Sequence, residues 1–241
     1  IKDKFVPLIT SRGCPFKCTF CIAPDINPKW RERSYKNVVD EIEFFKNKLN
    51  INDFHIEDLN PTIKYKRFEE IANEIIRRDL NITWKFSQGT KIETIKNEKF
   101  IEVLYNSGCR FFSFSPESGS QKVTQKLINK KFDYEKAIKL VKKMFKTGIR
   151  TQACFVIGMP KEKFSDFIDS FKYMLKLAYF GVDEVACYII TPLPGSKLFN
   201  QLSGYKNLSE CSHTPEWRDD IKYLKFLRFL FYFSFILTKT L

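Results

Sequence analysis

Ser11-Arg12-Gly13-Cys14-Pro15-Phe16-Lys17-Cys18-Thr19-Phe20-Cys21 is the stretch around which this chain is organised. Three cysteines fall within eight residues, with three and then two residues between them. Thiolates are soft ligands suited to iron–sulfur clusters and zinc. A 4Fe-4S cluster normally takes four cysteines, so three close cysteines leave one iron open to a ligand that is not protein. Gly13 and Pro15 favour a non-helical wrap that lets successive sulfurs converge on one small body. A zinc knot is the alternative. Closed zinc sites usually need four protein ligands, and no second cysteine pair or Cys/His pair is suitably spaced.

The rest of the composition bounds the possibilities. A chain of 241 residues can bury one large core, and 25 Phe supply the apolar surface for it. Seven cysteines, an odd number with three clustered, fit a reducing compartment better than a disulfide framework. A cytoplasmic location follows, and residues 1–10 read as a strand, not a leader. The first residue is Ile, so a longer parent chain is expected. The formal charge of +13 raises the question of nucleic acid. The lysines are spread over separate helix faces without an Arg-rich tail, and a nucleic-acid partner is not expected.

Outward from the cysteines, strand and helix alternate. Residues 5–10 read as a first strand. Ser34 is placed to cap a helix to Leu49, where Val38, Val39, Ile42, Phe45 and Leu49 recur at helical spacing. Strands are expected at 51–57, 82–87, 110–115, 149–157 and 182–190, and helices at 65–78, 92–107, 133–147 and 163–180. Gly108, Gly148 and Gly181 stand where helices stop. Six such alternations imply parallel strands joined by right-handed crossovers. In such sheets the chemistry gathers at the carboxyl ends of the strands.

The spacing of Cys14, Cys18 and Cys21, with Phe20 before the last, resembles the signature of the radical S-adenosylmethionine (SAM) enzymes. The resemblance covers about residues 5–202 and implies an α/β fold, a partial (β/α)6 TIM-like barrel. It implies a 4Fe-4S cluster on the three cysteines, with SAM chelating the open iron and yielding a 5′-deoxyadenosyl radical on reduction by a flavodoxin or ferredoxin. Further family positions match at the strand ends. Glu57 and Asp58 correspond to the place that receives SAM's amino group. Gln88 lies in S-Q-G-T-K-I-E, where Lys91 and Glu93 replace the more usual Arg and Asp. Glu117 and Ser118, in E-S-G-S, correspond to ribose or methionine contacts, although Pro116 departs from the pattern. Gly158 and Pro160, in G-M-P-K-E, and Thr191 and Pro192, in T-P-L-P-G-S, correspond to adenine-side contacts. Lys161 stands where a glycine is usual.

Cys109, Cys154 and Cys187 read as core, His55 as a packed residue, and Cys211 and His213 as a loop after the barrel. Residues 1–202 form the expected core and 203–241 an extension ending in an apolar helix. That helix is too short in its apolar run to span a bilayer. It could cap the barrel, meet another domain or lie on a membrane surface. The closest likeness is to the branch with a cobalamin-binding domain before the barrel, which includes methyltransferases and cyclases. A tRNA methylthiotransferase and a non-catalytic iron–sulfur or zinc module are the alternatives.

Overall fold

The computed structural model describes residues 4–191, 193–202, 204, 207 and 215–240. β1 (Phe5–Leu8) opens into a long loop, pinched at its base by β2 (Ser11–Arg12) and β3 (Arg31–Glu32), with the short helix α1 (Ala23–Ile26) between them. There follow α2 (Tyr35–Leu49), β4 (Asp53–Ile56), α3 (Tyr65–Arg77), β5 (Thr83–Thr90) and α4 (Lys99–Asn106). β6 (Cys109–Glu117), α5 (Tyr134–Thr147), β7 (Arg150–Ile157), α6 (Phe164–Tyr179), β8 (Glu184–Ile189) and α7 (Ile221–Thr240) complete the chain. The Ser34 hydroxyl accepts from the Asn37 amide and caps α2, as its position predicts. Asp133 does the same for α5, which Gly148 closes at φ +91°.

The six long strands are all parallel, in the order β1-β4-β5-β6-β7-β8. Their alternation sorts side chains onto two faces. Phe54, Ile56, Phe86, Phe112, Phe114 and Phe155 are buried beneath the helices. Phe86 meets Phe68 of α3 at 4.8 Å and Phe112 at 4.9 Å between ring centroids. His55, Lys85, Ser113, Gln152, Cys154 and Tyr188 fall on the opposite, inner face. His55 stacks there on Phe5 at 3.9 Å and contacts Asp53, a packed residue as expected. The Leu198 amide, beyond β8, donates to the Thr19 carbonyl, beyond β1. The loops after the first and last strands therefore meet, and the sheet curls into the expected partial barrel with its seam between β1 and β8.

Two stretches differ from expectation. The single helix expected over 92–107 is a short 3-10 turn, Ile92–Thr94, and then α4 from Lys99. Ile92 and Ile95 are both fully buried, and the Thr94 hydroxyl reaches Lys91 carbonyl and Thr62. Those contacts hold the turn against the barrel and stop it propagating as a helix. Pro116 lies inside a central strand, where proline is unusual. It is tolerated because the β6–β7 register shifts between Phe114 and Glu117, a bulge that needs no ladder N–H from residue 116.

α7 packs on α6 and β8 and forms the outer layer over the last strand. Phe231 is fully buried, with ring centroids 5.0 Å from Phe155 and 6.4 Å from both Phe167 and Phe171. The Tyr232 hydroxyl accepts from the Cys187 amide at 2.8 Å, on the unpaired edge of β8. Phe226, Phe229, Phe233, Ile236 and Leu237 face outward. Among the described residues no helix is long and apolar enough to cross a membrane. Phe231→Ala should cost about 3–5 kcal/mol of stability, read by urea unfolding. A loss below about 1 kcal/mol would show that α7 is not part of the cooperative unit.

Candidate active site

The cysteine loop is built from backbone constraints. Gly13 has φ +86°, and a side chain there would stand 2.3 Å from the Lys29 carbonyl oxygen; only glycine fits. The Cys14 amide donates to the Asn27 carbonyl at 3.1 Å. At mid-loop the Thr19 amide donates to Ile128 carbonyl (2.9 Å) and its hydroxyl to Leu127 carbonyl (2.7 Å). The Asn129 side chain donates to Lys17 carbonyl at 2.9 Å. The loop is thereby tied to the β6–α5 connection and to the chain after β8. Cys14, Cys18 and Cys21 are free and partly exposed, and the Ala23 amide donates to Cys21 Sγ at 3.4 Å.

Among the described residues no three His, Cys, Asp or Glu side chains gather closely enough to hold a single metal ion. Tetrahedral zinc would hold its thiolates about 3.8 Å apart. In a four-iron cluster each thiolate binds its own iron. Burial pushes the Cys18 thiol up to about 11, against a pull from Lys130. Burial also raises Cys14, against the Phe16 amide and the charges of Lys91 and Lys130. These two ammonium groups are placed to offset thiolate charge once metal takes the protons. Lys91 lies over the Phe16 ring at 4.5 Å and pairs with Glu93 at 2.8 Å.

Lys130 is the residue that sequence reading missed. It is 4% exposed, and its ammonium donates to Ser115 carbonyl (2.5 Å) and Glu117 Oε1 (2.8 Å). Burial alone would push its pKa down, but Glu117 holds it above the ordinary value. Glu117 has a left-handed backbone, φ +66°, an uncommon state for a residue with a side chain and one that clusters at functional sites. The only sequence signal for Lys130 was a lysine in I-N-K-K-F-D, one among many.

The remaining expected positions divide. Gln88 donates to Glu57 at 2.6 Å, so these two meet at the ends of β4 and β5. Phe20 and Cys18 pack on an apolar cluster that includes Val156, Met159, Ile190 and Leu198, which brings the cysteine loop to the turn holding Gly158 and Pro160. Lys161 takes φ +68°, the conformation the usual glycine would supply, so the turn survives its replacement. Thr191 is partly exposed. Pro192, Cys211 and His213 lie outside the described residues.

Two positions expected to touch SAM are committed elsewhere. Both Asp58 oxygens accept hydrogen bonds from Thr10 and Ser11, with 1% of the residue exposed. Ser118 is fully buried, and its hydroxyl bonds Ser170 of α6 at 2.7 Å and accepts from the Ser120 amide. Each braces a loop from behind. Cys109 and Cys187 are core, both held up at about 12 by burial. Cys154 is not: it sits partly exposed on the inner face, 3.5 Å from the Ser113 hydroxyl.

Comparison with known proteins agrees with this geometry. Residues 8–174 match the radical SAM superfamily. The chain is 29% identical over 215 residues to an uncharacterized methyltransferase, PH0819, of Pyrococcus horikoshii, covering 89% of this chain and 44% of that protein. It is 30% identical over 193 residues to the anaerobic magnesium-protoporphyrin IX monomethyl ester cyclase of Rubrivivax gelatinosus, covering 80% and 34%. The fold matches the radical SAM methyltransferase TsrM of Kitasatospora setae, solved with cobalamin and a 4Fe-4S cluster, at a TM-score of 0.72 and 18% identity over 83% of this chain and 36% of that one. The chain thus spans less than half of each relative's length. Methyltransferase and cyclase relatives favour the cobalamin-associated likeness over the methylthiotransferase alternative, and family membership implies a 4Fe-4S cluster and SAM as cofactors. The chain belongs to the radical SAM superfamily.

Proposed function

We propose that this chain is the radical-forming core of a methyltransferase or cyclase that works with a cobalamin-binding domain. The observation that carries the reading is that the three-cysteine loop is hydrogen-bonded, through Lys17 and Thr19, to the residues just before Lys130, whose ammonium pairs with the buried Glu117. Cys14, Cys18 and Cys21 would hold the cluster. Glu57, Gln88, Glu117 and Lys130 would bind the polar parts of SAM, since charge-assisted hydrogen bonds are the strong ones. Phe20, Met159, Gly158, Pro160 and Thr191 would line the adenine side. When bound, the cluster and SAM supply a 5′-deoxyadenosyl radical after one-electron reduction by a flavodoxin or ferredoxin. The chain's own task is to orient and to exclude water. Phe20 and the apolar cluster shield one side of the mouth, while Ser113, Gln152 and Tyr188 offer polar groups on the inner face for a substrate.

The test is anaerobic. After cluster reconstitution, reduction with dithionite and addition of SAM, 5′-deoxyadenosine should form, and Cys18→Ala should form none. Zinc without sulfide in the wild type would overturn the reading. Lys130→Met should weaken SAM binding about tenfold or more with the iron content unchanged. Equal affinity in the variant would remove Lys130 from the site.

The adenine-side turn also carries a pH dependence. Glu162 accepts from the Gly158 and Met159 amides at 2.7 and 2.9 Å, yet its other oxygen is buried without a partner. Burial lifts its carboxyl from 4.5 to about 7, partly countered by those amides. A folded pKa above the unfolded one means that the contribution to stability is complete below about 4.5 and is lost as pH rises through about 7. Stability of the metal-free protein should therefore fall by roughly 1–3 kcal/mol between pH 5 and 8. Glu162→Gln, which keeps the acceptor, should flatten that slope in urea unfolding, and an unchanged slope would assign it to other groups.

A further inference from the structure

The cysteine loop has a stem, and the stem is held by a buried polar network distinct from the sites assigned above. β2 and β3 pair Ser11 with Glu32 and Arg12 with Arg31, closing the loop at its base. Asp58, just beyond β4, accepts from the Thr10 amide and hydroxyl, both at 2.6 Å, and from the Ser11 hydroxyl. Arg67, in the first turn of α3 and 6% exposed, donates to Thr10 carbonyl and Arg33 carbonyl, both at 3.1 Å, and to the Thr10 hydroxyl at 2.9 Å. Its guanidinium lies 3.9 Å from Asp58 and 5.6 Å over the Trp30 ring, whose indole N–H donates to the Ser11 hydroxyl at 3.1 Å. The Arg33 amide returns to Thr10 carbonyl at 3.0 Å.

The pattern of these contacts is specific. They reach residues 10, 11, 32 and 33 of the stem, with Trp30 packed alongside, and among the described residues the Asp58 and Arg67 side chains bond no residue from Cys14 to Cys21. Asp58 and Arg67 meet at the Thr10 hydroxyl, and from there Asp58 reaches Ser11 on one side of the stem and Arg67 reaches Arg33 on the other. A stem free to rock would carry the cysteines with it, because they follow it directly and the chain between is pinned at Gly13. Buried ion pairs contribute little net stability, and their best attested use is to fix one arrangement against others.

We propose that Arg67 and Asp58 are a positioning pair for the cluster-binding loop: they set the angle at which the three thiolates leave the barrel. This rests on the cluster reading above. Groups that hydrogen-bond metal ligands directly affect metal affinity about 10–100-fold, and a pair that acts through the stem should have a smaller effect.

The experiment compares the wild type with Arg67→Met, Asp58→Asn and, as a milder change, Trp30→Phe, which removes only the indole donor. Arg77→Ala, on an exposed ion pair of the same helix, is the control. Three readouts are taken: the rate of iron loss to a chelator, the electron paramagnetic resonance spectrum of the reduced cluster, and amide exchange at Thr10 and Ser11 in metal-free protein. The Arg67 and Asp58 variants should lose iron about threefold to tenfold faster, below the range for direct partners of ligands, with an altered spectrum and faster Thr10 exchange, and Trp30→Phe should show the same changes more weakly. Arg77→Ala should match the wild type. Variants with wild-type iron loss and spectrum would overturn the proposal and leave the cluster reading intact. A wild type that takes up no iron would overturn the cluster reading itself. If Arg67→Met and Asp58→Asn do not fold, Trp30→Phe decides on the same readouts.

Discussion

Three thiolates from one short loop must face a common centre, and a loop without regular structure has no internal ladder to hold them there. Its backbone groups must find partners elsewhere, and in this chain each third of the loop has a different anchor. The base is gripped by Asp58 and Arg67, the return by the Asn27 carbonyl, which takes the Cys14 amide, and the middle by Thr19 against the β6–α5 connection and the chain beyond β8. The anchors come from β4, α3, the β6–α5 connection and the chain after β8, so the geometry of the site depends on most of the barrel being folded.

The same logic explains the charged residues near the mouth. Lys130 is buried, which would be costly alone, and it is tolerated because Glu117 and the Ser115 carbonyl receive it. Glu117 in turn holds a left-handed backbone that a free strand end would not adopt. The bulge around Pro116 turns the chain so that Glu117 can take that position. The departure at Pro116 and the strain at Glu117 are one feature. Lys161 shows a parallel case at β7, where a lysine accepts a glycine-like φ at a cost of about 1 kcal/mol.

Much of this was legible in the sequence, and the limits follow from physics. Helical spacing, Ser34, Asp133 and Gly148 placed the helices because local chemistry decides those ends. The cysteine spacing named the family for the same reason: its ligands are local. What could not be read were contacts between distant segments. Asp58 and Glu57 are neighbours with opposite destinations, and only the fold says which points into the mouth. Lys130 is far from Cys18 in the sequence and resembles every surface lysine in a chain of charge +13. Cys154 looks like core by composition, and only strand parity puts it on the inner face.

An open barrel keeps two edges that a closed one would lose, and the way they are covered connects the fold to the site. At β8 the Tyr232 hydroxyl takes the free Cys187 amide, so α7 covers that edge from outside. At the mouth the seam is bridged by the cysteine loop itself, through Thr19 and the Leu198 amide. The loop that carries the cluster ligands is thus also the strap across the seam. The contacts that order the cysteine loop and those that close the top of the barrel are then in part the same contacts.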